Sequence, residues 1–215
     1  RCRRHAASGR QVHDTSVIAH QPVASIPGDQ DVVKPGAQPV HASQVSRDFT
    51  AGIDLALLGA IQAQIADACD GRAREKLRRL ILDLQDTLTS IERCRKPVIA
   101  AIHGACIGGG VDLVTACDIR LCSADAVFSI REIEVGMTAD LGTLQRLPVL
   151  IGDGMARELA YTGRNVDGRE AGEIRLVNRC YDTHDALLAG AREMAATIAA
   201  RSPLSVRGAK EMITY

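Results

Sequence analysis

The stretch KPVIAAIHGACIGGGVDLVTACD, residues 96–118, constrains this chain more than any other. Its apolar run, residues 97–104, is too short for a membrane span and rich enough in Val and Ile to be a fully buried strand. Three consecutive glycines follow, Gly108, Gly109 and Gly110, and VDLVTACD after them reads as the first turns of a helix. Glycines at such a junction let a ligand approach the backbone closely. They also leave the first N–H groups of the helix pointing outward, with the positive end of the helix dipole behind them. That is a place to hold a developing oxyanion. Beyond it stand three carboxylates that the local pattern does not require: Asp112, Glu132 and Asp140. A backbone anion site beside several acids points to proton transfer next to a carbonyl.

The rest of the chain supplies a scaffold for that stretch. Residues 1–45 are rich in Gln, His, Pro, Ser and Arg and hold no periodicity for long, so they are expected to be disordered or loosely attached. Four histidines there (His5, His13, His20, His41) are irregularly spaced and read as solvated loop, with no metal site expected. Order is expected from about residue 47: a tight Ala51-Gly52 turn after Phe49, then an Ala/Leu-rich helical stretch. A longer amphipathic helix follows, with Leu77, Leu80, Ile81, Leu84, Leu88 and Ile91 as its buried stripe and charges opposite. Past the glycines, residues 119–122 and 126–130 read as short strands joined by a turn. Residues 141–151 and 154–161 read as short helices around a break at Pro148. The tail alternates helix (167–173), strand (174–180), helix (184–201) and a last helix opened by Ser202-Pro203. Strands alternating with helices make an α/β protein.

With 215 residues, 46% of them hydrophobic, one domain with a sizeable core is expected, and with aromatics at 2% that core must be aliphatic. A formal net charge of zero gives no reason to expect nucleic acid or an anionic membrane as partner. The seven cysteines form no CxxC pair and read as reduced core residues. The glycines do not spell G-x-G-x-x-G, no Lys-Ser/Thr follows them and no G-x-S-x-G elbow is present, which argues against a dinucleotide site, a P-loop and a serine hydrolase. His103 and Cys106 are adjacent enough to raise Cys/His chemistry, but both flank the buried strand and are read as structural. Asp118, Asp125 and Glu134 are likewise read as capping or surface residues.

Taken together, FTAGIDL at residues 49–55, the long run from Lys96 to Pro148, Thr162-Gly163 and Ser202-Pro203 resemble the enoyl-CoA hydratase/isomerase (crotonase) superfamily, and within it the mitochondrial and peroxisomal 3,5-dienoyl-CoA to 2,4-dienoyl-CoA isomerases. The resemblance runs from about residue 46 to Tyr215. It implies a crotonase (ClpP/crotonase-like) spiral of strand-strand-helix units over residues 46–215, truncated at both ends, with residues 1–45 a non-family segment. It implies an oxyanion hole from the backbone N–H groups of Ala51 and Gly109, and a thioester-binding turn of Ala51, Gly52, Ile53, Asp54 and Leu55. Hydratases of the superfamily carry Glu where Asp112 stands, a second Glu at Glu132, and Gly where Asp140 stands. The isomerases have the Asp, Glu, Asp set at the spacings found here. By resemblance, Glu132 and Asp140 handle protons at the two ends of the diene, near C2 and C6, with Asp112 as an accessory acid.

The implied partner is an acyl-CoA thioester, with no cofactor beyond the CoA of the substrate, no metal, no nucleic acid and no membrane. A homotrimer or hexamer is implied if the family's remaining segments are present. The implied location is the mitochondrial matrix or peroxisome in a eukaryote and the cytoplasm in a bacterium. An enoyl-CoA hydratase, or a crotonase-fold protein without activity, are the alternatives. Since residues 1–45 lack the periodicity to replace the family's N-terminal strands, an open sheet edge, marginal stability and early proteolysis of that segment are expected.

Overall fold

A computed structural model of the chain describes residues 16–18, 48–52 and 55–215, with only the backbone described for 16–18 and 55–59. Two sheets form the centre. Strand β1 (Ser16–Ile18), β2 (Val98–Ile102), β4 (Ile119–Ser123) and β7 (Arg179–Tyr181) make an all-parallel sheet in the order β1-β2-β4-β7. Strand β3 (Ala105–Ile107), β5 (Val127–Ser129) and β6 (Val166–Asp167) make the second, with β3 and β5 parallel and β6 antiparallel. Among the described strands, the chain changes sheet at four of the six steps, from β2 to β3, β3 to β4, β4 to β5 and β6 to β7. From β2 it turns through His103-Gly104, where Gly104 takes a positive φ of 55°, into β3 and then helix α3 (Gly109–Thr115). From β4 it crosses into β5 by the same logic. Strand, strand, helix is thus the repeated unit.

Burial explains why β2 is a continuous apolar run. Val98, Ala100 and Ile102 face one core with Phe49, Val111, Phe128 and Leu147, while Ile99 and Ala101 face a second with Leu121, Leu187 and Ala191. Successive side chains of a strand point to opposite faces, so a strand covered on both sides must be apolar at every position. The core is aliphatic except for Phe49 and Phe128, both fully buried. Helix α7 (His184–Ala199), with Thr183 capping its start, covers the outer face of the parallel sheet. Helix α8 (Pro203–Thr214) is tied in by Lys210, whose Nζ donates to the Ile91 and Lys96 carbonyls and to Asp118 Oδ2 at 2.7 Å. Asp118 Oδ2 also accepts the Val98 N–H, so this acid has the capping role expected of it. The six described cysteines are free, and Cys106, Cys117 and Cys122 are buried.

Several expectations change. Within residues 1–45, Ser16-Val17-Ile18 pairs in register with Val98, Ile99 and Ala100, so this segment does contribute a strand to the edge of the sheet. Three residues are too few to show periodicity, though Val and Ile suit a strand. The rest of residues 1–45 lies outside the described residues. Helix α1 (Leu55–Ile65) and α2 (Asp70–Arg93) form as read, but no residue of α2 is fully buried and Leu77 is exposed. The two pieces expected as strands joined by a turn, β4 and β5, belong to different sheets. Pro148 lies inside helix α4 (Thr143–Ile151); the chain breaks instead at Gly152, at φ 83°, before α5 (Asp153–Thr162). After α6 (Gly168–Glu173), the strand expected over 174–180 is reduced to β7, because Arg175 takes a positive φ of 66° and the chain turns there. Among the described residues no helix is long and apolar enough to cross a membrane.

Candidate active site

Strand β3 builds the backbone side of the site. Phe49 N–H donates to the His103 carbonyl at 2.9 Å, Thr50 N–H to Ala105 at 2.8 Å, and Ile107 N–H returns to Thr50 at 3.0 Å. Residues 49–50 thus run parallel to β3, with Thr50 opposite Cys106. Just beyond this ladder, Ala51 and Gly52 emerge beside Ile107 and the glycines. Gly52 has φ 92°, and a Cβ on it would stand 3.1 Å from the Ile107 carbonyl oxygen. Gly110 has no room either, since a Cβ there would collide with Thr50 Cγ2. Glycine is therefore required on both sides of the approach.

Gly108 carries the chain from β3 into α3 at φ 55°, ψ −119°, its N–H bonded to Ser129 and its carbonyl accepting from Val111. Gly109 is the first helical residue, so its N–H has no acceptor within the helix. It is half-buried, and a Cβ on it would meet nothing within 4 Å, so open space lies before it. Ala51 is exposed. Of the expected thioester-binding turn, Ile53 and Asp54 lie outside the described residues, and Leu55 opens α1.

One turn into α3, Asp112 is buried with 1% of its surface exposed. Its Oδ1 accepts both the backbone N–H of Thr143 at 2.8 Å and the Thr143 hydroxyl at 2.7 Å. Burial raises its pKa above the usual carboxylate range. The Thr143 bonds oppose that shift, and the nearby charge of Asp140 adds to it. Glu132 lies on a 3₁₀ turn, Arg131–Val135, that follows β5. Its carboxylate sits over Gly108, with Oε1 3.1 Å from where a Cβ would be. Glu132 Oε2 is buried without a hydrogen-bond partner among the described residues. Burial raises its pKa as well; its own backbone N–H pulls the other way, and Asp112 and Asp140 push further up. Asp140 is exposed on the loop before α4, its carbonyl oxygen held by Gln85 Nε2 at 2.6 Å. Asp112 thus feels the charge of Asp140, and the part-buried Glu132 feels both Asp112 and Asp140, so the fold brings the three expected carboxylates near one another, with Glu132 over Gly108.

A carboxylate shielded from water and with a raised pKa, as Asp112 and Glu132 are, binds a proton well, and neighbouring acids on separate segments can take a proton at one point and return it at another. His103 and Cys106 play no such part. The His103 ring packs edge-on against His184 at 4.3 Å, and burial drives the Cys106 thiol far above the range in which a thiolate forms. A cavity of about 260 Å³ between the end of α2 and α8 is lined by none of the three acids.

The enoyl-CoA hydratase/isomerase family profile matches residues 45–214. The chain belongs to that family. It is 49% identical over 83% of its length to the peroxisomal Δ(3,5)-Δ(2,4)-dienoyl-CoA isomerase of Arabidopsis thaliana, covering 65% of that protein. It is 46% identical over 82% of its length to the human mitochondrial enzyme of the same name, covering 54% of it. A Thermobifida fusca protein described as an enoyl-CoA hydratase, solved in complex with acetoacetyl-CoA, superposes with a TM-score of 0.69 at 29% identity, over 78% of this chain and 66% of that one. The chain spans about half to two thirds of the length of the curated relatives it matches, and its two-sheet α/β architecture is the crotonase fold.

Sequence reasoning missed two residues that bear on Asp112 in this candidate site. Thr143 makes both hydrogen bonds to Asp112, and Arg146 lies next to it. Arg146 forks onto Glu92 at 2.7 and 2.9 Å and also donates to the Leu141 carbonyl. Thr143 follows a glycine at the start of a predicted helix, which marks it as a local capping candidate. Nothing local marks Arg146, because its partner lies 54 residues away.

Proposed function

We propose that this protein is an isomerase that moves the conjugated double bonds of a 3,5-dienoyl-CoA to give the 2,4-dienoyl-CoA, a step of fatty-acid β-oxidation. The reading rests above all on Asp112, Glu132 and Asp140 lying close enough for their charges to act on one another, with Glu132 over Gly108 in the glycine turn, and it is supported by the likeness to named isomerases. The thioester oxygen lies against the N–H groups of Ala51 and Gly109. One carboxylate of the Glu132/Asp140 pair takes a proton from C2, and the electron pair is shared between the thioester oxygen and the conjugated chain out to C6 as a trienolate. Two aimed donors lower the energy of that charge by several kcal/mol in a water-poor site. The other acid then delivers a proton at C6, which restores the carbonyl and leaves double bonds at C2 and C4. Two acids on separate segments reach both ends of a five-carbon span that one acid does not. Asp112, locked by Thr143, tunes the field between them.

No separate cofactor enters this reading, because CoA belongs to the substrate. Assembly as a homotrimer or hexamer, and residence in the mitochondrion or peroxisome as in the named relatives, are part of the same proposal. Mixing the protein with a 3,5-dienoyl-CoA should raise the ultraviolet absorbance of the 2,4-diene, while a 2-enoyl-CoA should hydrate slowly or not at all. Hydration faster than isomerisation would make the protein a hydratase instead. Failure of both reactions despite acyl-CoA binding would favour the fold without the activity.

A further inference from the structure

Helix α2 carries a polar stripe that is not a solvated face. Gln85, Thr89 and Glu92 stand at i, i+4 and i+7, one above another on the same side of the helix. All three reach the region that carries Asp140. Gln85 Nε2 donates to the Asp140 carbonyl at 2.6 Å. Glu92 accepts from both Nε and Nη2 of Arg146, and Thr89 Oγ1 accepts from Nη2 at 3.4 Å. The remaining nitrogen, Nη1, donates to the Leu141 carbonyl at 3.2 Å. The guanidinium packs onto Gly142, where a Cβ would collide with it and where φ is 122°. The next residue, Thr143, holds Asp112. Asp140 and Leu141, which precede helix α4, and Thr143, which opens it, are therefore each tied by a hydrogen bond to a side chain from elsewhere, with the Arg146 guanidinium lying against Gly142.

We propose that Glu92, Arg146 and Gln85 are positioning residues that set where the Asp140 carboxylate stands relative to Asp112 and Glu132. None of them touches the substrate. The inference rests on the reading of Asp140 as a proton-handling acid. A pair that served only to join α2 to α4 would need the fork between Glu92 and Arg146 and nothing more. Here two further bonds go to the carbonyls of the acid itself and of its neighbour. With Arg146 only 14% and Glu92 33% exposed at the side chain, the fork is shielded from water and geometrically strict. A misplacement on the order of 1 Å costs a catalytic group about 100-fold in rate.

Four variants of the full protein test this: Glu92→Gln, Arg146→Lys, their double variant and Gln85→Leu. Asp153→Asn, which breaks the exposed pair to Arg157 on α5, serves as the control. Glu92→Gln and Arg146→Lys should each lower kcat about 10- to 100-fold with KM within about twofold, and the double variant should be little worse than the poorer single one. Gln85→Leu, which leaves the fork intact, should cost about 3- to 10-fold, and Asp153→Asn nothing. Backbone amide exchange should quicken across residues 139–143 in Glu92→Gln and stay unchanged in β2 and α7. Unchanged exchange in that loop, or activity lost only in step with folded protein, would overturn the proposal. A wild-type protein that does not isomerise would sink the functional reading alone, since the exchange experiment still decides whether the loop is held from α2.

Discussion

The two walls of the site are made differently. The wall proposed to hold the oxyanion is backbone: residues 49–50 hydrogen-bonded along β3, with glycines where Gly52, Gly108 and Gly110 leave no room or require a positive φ. It stands on the core, with Phe49 and Cys106 fully buried behind it. The acid wall is side chain. Glu132 and Asp140 sit on a 3₁₀ turn and a loop at the surface, and the loop is fixed by long side chains reaching from α2 and α4. The difference follows from the work each wall would do. Donors to an oxyanion must be aimed and must not reorganise, which a ladder anchored in the core ensures. Acids must exchange protons with solvent between turnovers, which requires an exposed edge. The backbone wall can be broken only through its glycines, whereas the acid wall can be altered one side chain at a time without disturbing the fold.

The largest effect should come from breaking the backbone wall. Gly110→Val places side-chain carbon where Thr50 Cγ2 stands, and both lie between fixed ladder positions. Activity should be lost altogether, with a thermal midpoint several degrees lower, since overpacking a tight site costs about 1–3 kcal/mol. An active, equally stable Gly110→Val would mean that residues 49–52 do not stand where the ladder puts them.

Next in size is the acid wall. Asp140→Asn should lower isomerisation by about 10²- to 10⁴-fold, while acyl-CoA affinity, measured by titration calorimetry, and thermal stability stay nearly unchanged. A drop under threefold would remove Asp140 from the chemistry.

The contrast between walls also explains what could be read from the sequence. The buried strand, the glycines and the three acids were legible because each is a local signal: an apolar run, a residue type that only a tight backbone needs, and charges without a local reason. Strand β3 was not, because its three residues become a strand only by pairing with β5 on one side and Thr50 on the other, both distant in the sequence. The sheet membership of β4 and β5 was hidden for the same reason, since a short apolar run is compatible with either sheet. Pro148 looked like a break because proline removes an N–H. Inside α4 that costs one helical bond, whereas Gly152 at positive φ ends the helix outright. The contacts made by Thr143, Arg146 and the stripe on α2 were not legible, because their partners are 31 to 55 residues distant.

A smaller effect should appear in the pH dependence of stability. Burial raises the pKa of Asp112 in the folded state above its ordinary value of 3.8. The folded protein therefore holds this proton more tightly than the unfolded chain does. The stability contributed by Asp112 is fully present below about pH 3.8 and falls as pH rises through the higher folded value. Asp112→Asn keeps an oxygen for Thr143 and loses the titration. Its stability relative to wild type, from urea unfolding, should therefore improve as pH is raised from 4 to 7. A relative stability that is flat or declines over that range would show that Asp112 is not held against ionisation.

The division of labour between Glu132 and Asp140 is most directly tested by running 3,5-dienoyl-CoA in deuterium oxide with Glu132→Gln and Asp140→Asn and following deuterium at C2 and C6 by NMR. The acid at C2 and the acid at C6 are different residues in this account. One variant should therefore still exchange the C2 hydrogens with solvent while forming almost no 2,4-diene, and the other should exchange neither position. If both variants exchange C2 equally well, or both retain deuterium delivery at C6, the two-acid account is wrong.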